Sequence, residues 1–309
     1  MKKKPIVTVV GSYIVGLTMR ADRFPTPGET LTGHSFTQFY GGKGSNQAVG
    51  CARLGAEVNF IACIGKDASG DEALKLYRKE NVNTELIKYS GQLSTGVGFI
   101  IVDQAGSNMI LIDIGANNEL NPEYIAQMSD VISKSDALLM QMEIPADTVV
   151  KTARIAKSLG VNVILNPAPY QSLPDTVWPD ITILTPNEKE AKLITGRSPD
   201  ADVSVETLGA DILKLGVKNV IITLGERGAY IAAGDFSGTV PSKKVDVVDT
   251  TGAGDSFSAA LGVAVAEGKP LPEAVEFAVC ASALAVTEYG VIESLPYRKQ
   301  VEDFMNVKL

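Results

Sequence analysis

The amino-acid sequence predicts an α/β fold. We expect a doubly wound, mainly parallel sheet of the Rossmann-like kind, in three layers with its helices, that carries a small β-sheet lid. Short apolar segments alternate with longer helical segments along most of the 309 residues, as in repeated strand–helix–strand units. The apolar segments are rich in Val and Ile at both alternating positions, which is typical of strands covered on both faces. Residues 12–40 and 96–115 interrupt this alternation, so one domain over residues 1–309 is expected, with those two segments inserted as the lid.

The first half of the chain supplies the opening units of the predicted main sheet. Gly55 and Gly160 follow two of the helical segments, and glycine is the preferred residue just after a helix. The short apolar segments are interpreted as strands. The strands are therefore predicted at 6–10, 58–64 and 137–141, and the helices at 43–54, 69–80 and 146–159.

The second half continues the alternation and then becomes mostly helical. Gly196 and Gly216 again mark the ends of helical segments. The predicted strands are 162–165, 181–184 and 219–224, and the predicted helices are 187–195, 205–215, 255–267, 272–288 and 297–305. The chain has no internal repeat, low-complexity tract or linker, which favours a single domain with an inserted lid.

The two interrupting segments favour antiparallel strands outside the main sheet. The first alternates weakly and contains Pro25, Pro27 and Gly28. The second predicts a hairpin, with strands at 97–102 and 109–114 around a turn at 103–106. A small sheet of this kind could close over an active site or could be a surface elaboration, and the periodicity alone does not separate the two.

Composition and charge exclude several classes of function. The formal net charge of −8 disfavours binding to nucleic acid or to an anionic membrane, so ATP could bind only through a local anion site or a metal. The three cysteines, Cys51, Cys63 and Cys280, form no CxxC pair, which favours reduced thiols in a cytoplasmic protein and argues against a zinc site. The single histidine, His34, argues against a Ser/His/Asp triad.

The strongest motif is a glycine turn immediately before an apolar helix, Asp249-Thr250-Thr251-Gly252-Ala253-Gly254-Asp255. Free backbone N–H groups at such a helix start form an anion site, and the glycines let a phosphate approach closely. Asp255 then lies beside the anion, where phosphoryl transfer needs a base for the acceptor hydroxyl. A glycine-rich loop with an acidic residue that stabilises the helix start is an equally good interpretation of this segment alone.

A second glycine-rich segment precedes the predicted helix at 43–54, and it reads Gly41-Gly42-Lys43-Gly44-Ser45-Asn46-Gln47-Ala48. It resembles a P-loop only loosely, because Gly44 stands where a P-loop has Ser or Thr after its lysine. By itself this signal is weak. The dinucleotide fingerprint Gly-x-Gly-x-x-Gly is absent after the first strand, where Gly11 is followed by Ser12 and Tyr13, and this argues against a dehydrogenase.

Together, the two segments resemble the paired signatures of the ribokinase family, also called the PfkB carbohydrate kinases. Further matches occur in family order over nearly the whole chain, and the likeness is strongest to ribokinases proper. They are Pro25-Thr26-Pro27-Gly28-Glu29-Thr30, Gln141-Met142-Glu143, Asn166-Pro167-Ala168-Pro169, Pro186-Asn187-Glu188-Lys189-Glu190 and Thr223-Leu224-Gly225-Glu226-Arg227-Gly228.

The resemblance implies a role for each matched position. It implies Asp255 as the catalytic base and the backbone of Gly252, Ala253 and Gly254 as the anion hole. It implies a substrate site, a nucleotide site and a monovalent-cation site. The substrate site is Gly42, Lys43, Asn46 and Glu143 with Asp255; the nucleotide site is Asn187, Glu190, Thr223, Gly225 and Gly228 with Gly254; and the cation site is Asp249, Thr251, Ala285, Glu288, Gly290 and Ser294.

The sequence departs from the family pattern at the sugar site. Ile14 and Gly16 stand where ribokinases usually carry an Asn and an Asp that bind sugar hydroxyls, and neither side chain can form a hydrogen bond. Val279 stands near the expected adenine site, where relatives often carry a polar residue. Because of these departures, the sequence does not identify the acceptor sugar or the preferred nucleotide base.

The resemblance implies an ATP-dependent sugar kinase with a ribokinase-like fold. The expected cofactors are Mg²⁺ with ATP and K⁺ or another monovalent cation. The expected partners are ATP and a small sugar-like substrate, with no nucleic acid or membrane, in a cytoplasmic homodimer paired through the lid. D-Ribose is the leading acceptor, and a nucleoside or a deoxy or modified sugar is the alternative acceptor. A remote alternative for the function as a whole is a non-catalytic protein that binds a sugar or a nucleotide.

Overall fold

A computed structural model describes residues 3–234 and 236–307. The predicted domain range also includes residues 1, 2, 235, 308 and 309, which lie outside the described residues. The strands are β1 (Ile6–Val10), β2 (Ile14–Arg20), β3 (His34–Gly41), β4 (Glu57–Ile64), β5 (Val82–Asn83), β6 (Ile87–Tyr89), β7 (Gly96–Val102), β8 (Asn108–Asp113), β9 (Ala137–Met140), β10 (Asn162–Leu165), β11 (Ile183–Leu184), β12 (Asn219–Thr223), β13 (Ala229–Ala233) and β14 (Ser237–Val240).

The α-helices lie mostly between these strands. They are α1 (Lys43–Arg53), α2 (Ala68–Lys79), α3 (Pro122–Gln127), α4 (Ser129–Ile132), α5 (Ala146–Ser158), α6 (Glu188–Ile194), α7 (Val205–Lys214), α8 (Ala253–Ala266), α9 (Leu271–Ala285) and α10 (Arg298–Asn306).

The main sheet of the described chain contains ten strands in the order β14-β13-β12-β11-β10-β9-β1-β4-β5, and β6 pairs with β4. The pairs from β12 through β5 are parallel, whereas β13 and β14 add an antiparallel edge. The early strands β4 and β5 lie on one side of β1 and the later strands β9 to β12 on the other, which is the doubly wound arrangement. The predicted fold class is confirmed.

Side chains of the main sheet alternate between two hydrophobic cores, one on each face. On β1, Val7 and Val9 belong to one core and Val10 to the other. On β4, Phe60 and Ile61 divide in the same way. Helices α1, α8 and α9 cover the first core, and α5 and α7 cover the second. This two-sided burial explains why Val and Ile occur at both alternating positions of the strands.

The lid sheet consists of β3, β2, β7 and β8 in that order. β2 pairs antiparallel with β3, and β7 pairs antiparallel with β8, as predicted for these segments. The central pair, β2 with β7, is parallel, so the expectation of an antiparallel lid is wrong there. The reason is topological: both strands leave the main sheet in the same direction and meet side by side, and the periodicity of one segment carries no information on its partner.

A few predicted elements differ from the structure. The strand predicted at 181–184 is limited to β11, and the helix predicted at 272–288 ends at Ala285, ahead of a turn in which Gly290 has a φ of 91°. The antiparallel edge strands β13 and β14 were not predicted. Within the described residues, none of the helices combines the length and the apolar character needed to span a membrane.

Candidate active site

The candidate site lies at the carboxyl edge of β1 and β9. These strands are parallel, so the segments after them, which contain Ser12 and Glu143, leave the sheet side by side. The Ser12 hydroxyl donates a hydrogen bond to Glu143 Oε2 at 2.5 Å, and the backbone N–H of Lys43 donates to the same oxygen at 2.8 Å. Burial raises the pKa of the Glu143 carboxyl in spite of these bonds and of the nearby Lys43 charge. The start of α1 is thereby joined to the end of β9.

Asp255 lies in the first turn of α8 with 5% of its surface exposed. Asn46 Nδ2 donates to its Oδ2 at 2.7 Å, and Gln47 Nε2 donates to its Oδ1 at 3.0 Å. The carboxylate is therefore held by two residues of α1. Asn46 Oδ1 is buried and has no hydrogen-bond partner within the described part of the chain, so it can accept a hydrogen bond from a ligand hydroxyl.

A chain of buried amides fixes the orientation of these groups. Gln141 Nε2 donates to Gln47 Oε1 at 2.7 Å, which turns the Gln47 amide nitrogen toward Asp255. Asn166 accepts a longer bond from Gln47 at 3.4 Å and donates to the Thr185 carbonyl at 3.2 Å. No role was predicted for Gln47, Gln141 and Asn166, although all three lie inside sequence motifs of the chain.

The glycine turn before α8 leaves the start of that helix accessible. Gly252 adopts a φ of 80° as the N-cap, and within the described residues no side chain caps the helix. A Cβ placed on Gly252 would lie 2.7 Å from Val291 Cγ1, whereas a Cβ on Gly254 would meet nothing within 4 Å. The first position thus requires glycine for backbone conformation and packing. The second leaves open space beside the helix N–H groups, which suits a bound anion.

Lys43 carries the positive charge at the centre of this site. The charge of Asp255, followed by those of Glu143 and Glu190, raises the pKa of the Lys43 ammonium, although burial opposes the effect. The ammonium group therefore stays protonated at neutral pH and can bind an acceptor oxygen or a phosphate.

Asn187 and Glu190 form a capping box at the start of α6. The Glu190 N–H donates to Asn187 Oδ1 at 2.8 Å, and the Asn187 N–H donates to Glu190 Oε2 at 2.9 Å. Thr223 lies beside them, because its N–H donates to the Pro186 carbonyl at 2.9 Å. Burial raises the pKa of the Glu190 carboxyl. The box explains these two residues as helix-capping groups, and the Glu190 charge also contributes to the raised pKa of Lys43.

A cavity of about 920 Å³ opens beside the glycine turn, and this volume is within the usual range for a small-molecule site. Its walls include four of the residues implied for the nucleotide, namely Thr223, Gly225, Gly228 and Gly254. Val279 also lines it. Several other lining residues were not predicted because they belong to no recognisable motif: Ser242, Lys243, Lys244, Phe257 and Ser282.

The residues implied for a monovalent cation are only partly brought together. Asp249 Oδ1 accepts from the Thr251 N–H at 2.9 Å and from the Thr251 hydroxyl at 2.7 Å, and its Oδ2 accepts from the Gly290 N–H at 3.3 Å. Although burial acts in the opposite direction, these bonds lower the pKa of the Asp249 carboxyl. The Ser294 hydroxyl donates instead to the Val291 carbonyl at 3.0 Å. The hydrogen bonds described for the chain include none that joins Asp249 to Ala285, Glu288 or Ser294.

The donors near Asp249 fit a hard monovalent cation better than a transition metal. They are the Asp249 carboxylate and the Thr251 hydroxyl, and oxygen ligands of this kind suit alkali and alkaline-earth ions. Across residues 3–234 and 236–307, no cluster of three or more His, Cys, Asp or Glu side chains could hold a metal ion. Cys51, Cys63 and Cys280 are buried free thiols.

Comparison with known proteins gives one consistent result. The model of the pfkB family of carbohydrate kinases matches residues 4–298. The chain is 39% identical over 299 residues to a ribokinase of Haemophilus influenzae, covering 97% of this chain and 98% of that protein. It is 32% identical over 302 residues to a deoxyribokinase of Salmonella typhi, covering 97% and 99%. The structure of Arabidopsis thaliana ribokinase complexed with ribose and ATP superimposes with a TM-score of 0.93 at 32% identity, covering 99% of this chain and 100% of that one.

Proposed function

This chain belongs to the pfkB family of carbohydrate kinases, and from that premise we propose that it transfers the γ-phosphoryl group of ATP to a primary hydroxyl of a pentose or related sugar. It is a phosphotransferase with an alcohol group as acceptor. D-Ribose, giving D-ribose 5-phosphate, is the leading acceptor by similarity to ribokinases. A nucleoside or a deoxy or modified sugar is the alternative, favoured by Ile14 and Gly16 and by the similarity to a deoxyribokinase.

One observation carries the proposal: the buried Asp255 carboxylate lies in the first turn of a helix that no described side chain caps, beside the open space at Gly254. Asp255 takes the proton of the acceptor hydroxyl, and that oxygen forms a bond to the γ-phosphorus. The bond from the γ-phosphorus to the bridging oxygen breaks, and ADP leaves with the electron pair. The N–H groups of Gly252, Ala253 and Gly254 stabilise the charge on the transferring phosphoryl oxygens.

The acceptor is held by Gly42, Lys43, Asn46 and Glu143. Asn46 Oδ1 lacks a partner within the described residues, and the Asp255 charge helps to keep the Lys43 ammonium protonated by raising its pKa. These groups offer both an acceptor and a donor for sugar hydroxyls. The nucleotide occupies the 920 Å³ cavity, against Thr223, Gly225, Gly228 and Gly254.

Asn187 and Glu190 are the residues that would orient magnesium bound with ATP, since carboxylate and amide oxygens suit this ion. The ion would neutralise phosphate charge as the phosphoryl group moves. Asp249, Thr251 and the backbone near Gly290 would hold K⁺ or another monovalent cation, with Ala285, Glu288 and Ser294 completing the site. The non-catalytic alternative has little support, because the base and the glycine turn are both present.

We place a homodimer contact on the lid sheet. Phe99, Met109 and Leu111 are 53%, 55% and 73% exposed, and the pairing of β7 with β8 puts them on one face. A sheet with an apolar face and free edges tends to be covered by another chain. Together with the buried free cysteines, this suits a cytoplasmic homodimer.

The experiment that tests the proposed function is a screen of sugars, sugar alcohols and nucleosides for ADP release with magnesium and potassium present. We expect ADP release that depends on a pentose-type acceptor. Release that is the same with and without every acceptor would overturn the proposal.

A further inference from the structure

The ring of Phe39 occupies the space in which a side chain at position 16 would begin. Gly16 and Phe39 are direct partners in the β2–β3 pair. A Cβ placed on Gly16 would lie 2.0 Å from Phe39 Cζ, 2.3 Å from Cε2 and 2.5 Å from Cε1. No real side chain tolerates such distances, so the ring covers Gly16 completely and excludes any larger residue there unless the ring moves.

The Phe39 ring faces the acceptor site. Ile14 pairs with Gly41 and Gly16 with Phe39, so these four residues share one face of the lid sheet. A Cβ placed on Gly41 would lie 3.8 Å from Phe39 Cε2 and 3.9 Å from Asn46 Oδ1. The edge of the ring and the unpartnered amide oxygen of Asn46 therefore border the same small space, and Asn46 is bonded to Asp255.

This part of the site has an uneven distribution of polar groups. Asn46, Lys43 and Glu143 offer hydrogen bonds on the side of α1 and β9. Ile14, Gly16 and Phe39 offer none on the side of the lid, and Ile14 is 7% exposed. A sugar hydroxyl turned toward the lid would lose its water without gaining a partner, which is unfavourable. A carbon that bears only hydrogen would pack against the ring without that cost.

We propose that Phe39 is a specificity-determining residue of the acceptor site, and that with Ile14 and Gly16 it selects a deoxy sugar, one that lacks the hydroxyl facing the lid. This inference rests on the proposed function for the class of acceptor, and within that class it favours the alternative, a deoxy sugar, over D-ribose. An aromatic ring over a strand glycine also stabilises a sheet by covering it, so the test must separate selection from support of the strand.

The test compares D-ribose with the three single-deoxy analogues that keep both the primary hydroxyl and the furanose ring, namely the 1-deoxy, 2-deoxy and 3-deoxy compounds. For the wild type we expect one analogue to exceed ribose in kcat/KM by at least about tenfold, the scale of discrimination by an apolar pocket. Phe39→Ala should bring that ratio toward one. Gly16→Asp together with Phe39→Ala should reverse it, because the carboxylate then has both room and a hydroxyl to bind.

Control variants separate selection from folding. Phe36→Ala removes the same side chain from the same strand at a position that is 58% exposed, and should leave the acceptor ratio unchanged. Phe39→Leu keeps an apolar group of smaller size, and should lower the ratio even if Phe39→Ala folds poorly. Thermal unfolding of each variant, followed by circular dichroism, reports any loss of the strand.

Calorimetric titration of ribose and the deoxy analogues without ATP gives the same ratio from dissociation constants, independently of turnover. Binding with the expected ratio but without phosphoryl transfer would overturn the proposed function and support the role of Phe39. Phosphoryl transfer with an acceptor ratio that is unchanged in Phe39→Ala and Phe39→Leu would support the proposed function and overturn the role of Phe39. A wild type that prefers ribose to all three analogues, or that binds none of the four compounds, would overturn the selection of a deoxy sugar.

Discussion

At the scale of single residues, the positive charge of Lys43 interacts with three carboxyl groups of the candidate site. Lys43 has a raised pKa because of Asp255, Glu143 and Glu190, whereas burial raises the pKa of Glu143 and of Glu190. The carboxyl groups of Glu143 and Glu190 therefore gain protons at a higher pH than exposed carboxyl groups do. Acid should thus weaken the polar half of the acceptor site before it affects ordinary surface carboxylates.

The first prediction concerns the pH dependence of acceptor binding. As pH falls toward and through the raised pKa of Glu143, its carboxylate is lost, and the acceptor KM should rise at a pH above the ordinary value of 4.5 for Glu. Glu143→Gln should raise KM at neutral pH and remove this acidic limb. The measurement is the pH profile of KM and kcat for both proteins. Identical acidic limbs in the two profiles would contradict the role of Glu143.

The residues predicted to react belong to motifs, whereas the residues that support them do not stand out in the sequence. Asp255, Asn46 and Glu143 stand in recognisable motifs; Asn46 donates to Asp255, and Glu143 accepts from a backbone N–H at the start of the same helix, α1. Gln47 received no role, because its bond to Asp255 depends on how α1 packs against α8. Phe39 was missed for a similar reason, since it reaches Gly16 only through the pairing of two strands.

At the scale of elements, the alternation of strand and helix was predictable because each unit has its own periodicity, and a glycine follows several of the helices. The parallel pairing of β2 with β7 was not, since it joins two segments that lie far apart in sequence. The edge strands β13 and β14 were missed because they are short and lack strong alternation, and their hydrogen bonds come from pairing, of β13 with β12 and of β14 with β13.

The second prediction concerns a buried ion pair that joins three elements. Arg53, in the last turn of α1, pairs with Glu80 after α2 at 2.8 Å, and their side chains are 9% and 8% exposed. Arg53 also donates to the carbonyls of Ile292 and Leu295 at 2.6 and 2.8 Å. Arg53→Met should lower the free energy of unfolding by about 3 kcal/mol, because it leaves a carboxylate and two carbonyls buried without this partner.

Urea denaturation measures this effect, and the double variant Arg53→Met with Glu80→Met should lose less than the sum of the two single losses. Lys75→Met, in an exposed pair with Glu72, is the matched control and should cost no more than about 1 kcal/mol. A cost for Arg53→Met as small as the control would contradict the structural role of the pair.

The third prediction concerns the loop that holds Asp249 and the turn after α9. An ion bound between them would fix the geometry of the glycine turn before α8, so potassium should raise kcat above the values in sodium or choline chloride. Asp249→Ala should make the three salts equivalent. Steady-state rates at constant ionic strength test this, with trace potassium removed. A wild-type rate that is equal in all three salts would rule out a functional cation site.

At the scale of the whole molecule, the two sheets supply different parts of the candidate site. The main sheet, buried on both faces, fixes Glu143 and α1, whereas the lid sheet contributes Ile14, Gly16 and Phe39 from outside it. The layer arrangement followed from the sequence because every buried strand must be covered. How the lid meets the site did not follow, because it depends on contacts between separate sheets.

The fourth prediction concerns assembly through the lid. Leu111 is 73% exposed at the centre of the apolar face of β8, so Leu111→Glu should convert a homodimer into a monomer by placing a charge in the contact. Leu159→Glu, which changes a 40% exposed leucine after α5, is the control and should leave the dimer intact. Sedimentation velocity at micromolar concentration gives the masses. A wild-type monomer would contradict the dimer.

The fifth prediction returns to the reaction itself and to its base. Phosphorus NMR of mixtures of ATP and acceptor should show one sugar phosphate for each ADP formed by the wild type. Asp255→Asn keeps the size of the side chain but removes the proton acceptor, so kcat should fall by at least about 100-fold, with the dissociation constant for ATP largely unchanged. Asp303→Asn, a surface change on α10, should match the wild type. Sugar phosphate formed by Asp255→Asn at a near-normal rate, or ADP formed without any sugar phosphate by the wild type, would contradict the assignment of a sugar kinase whose base is Asp255.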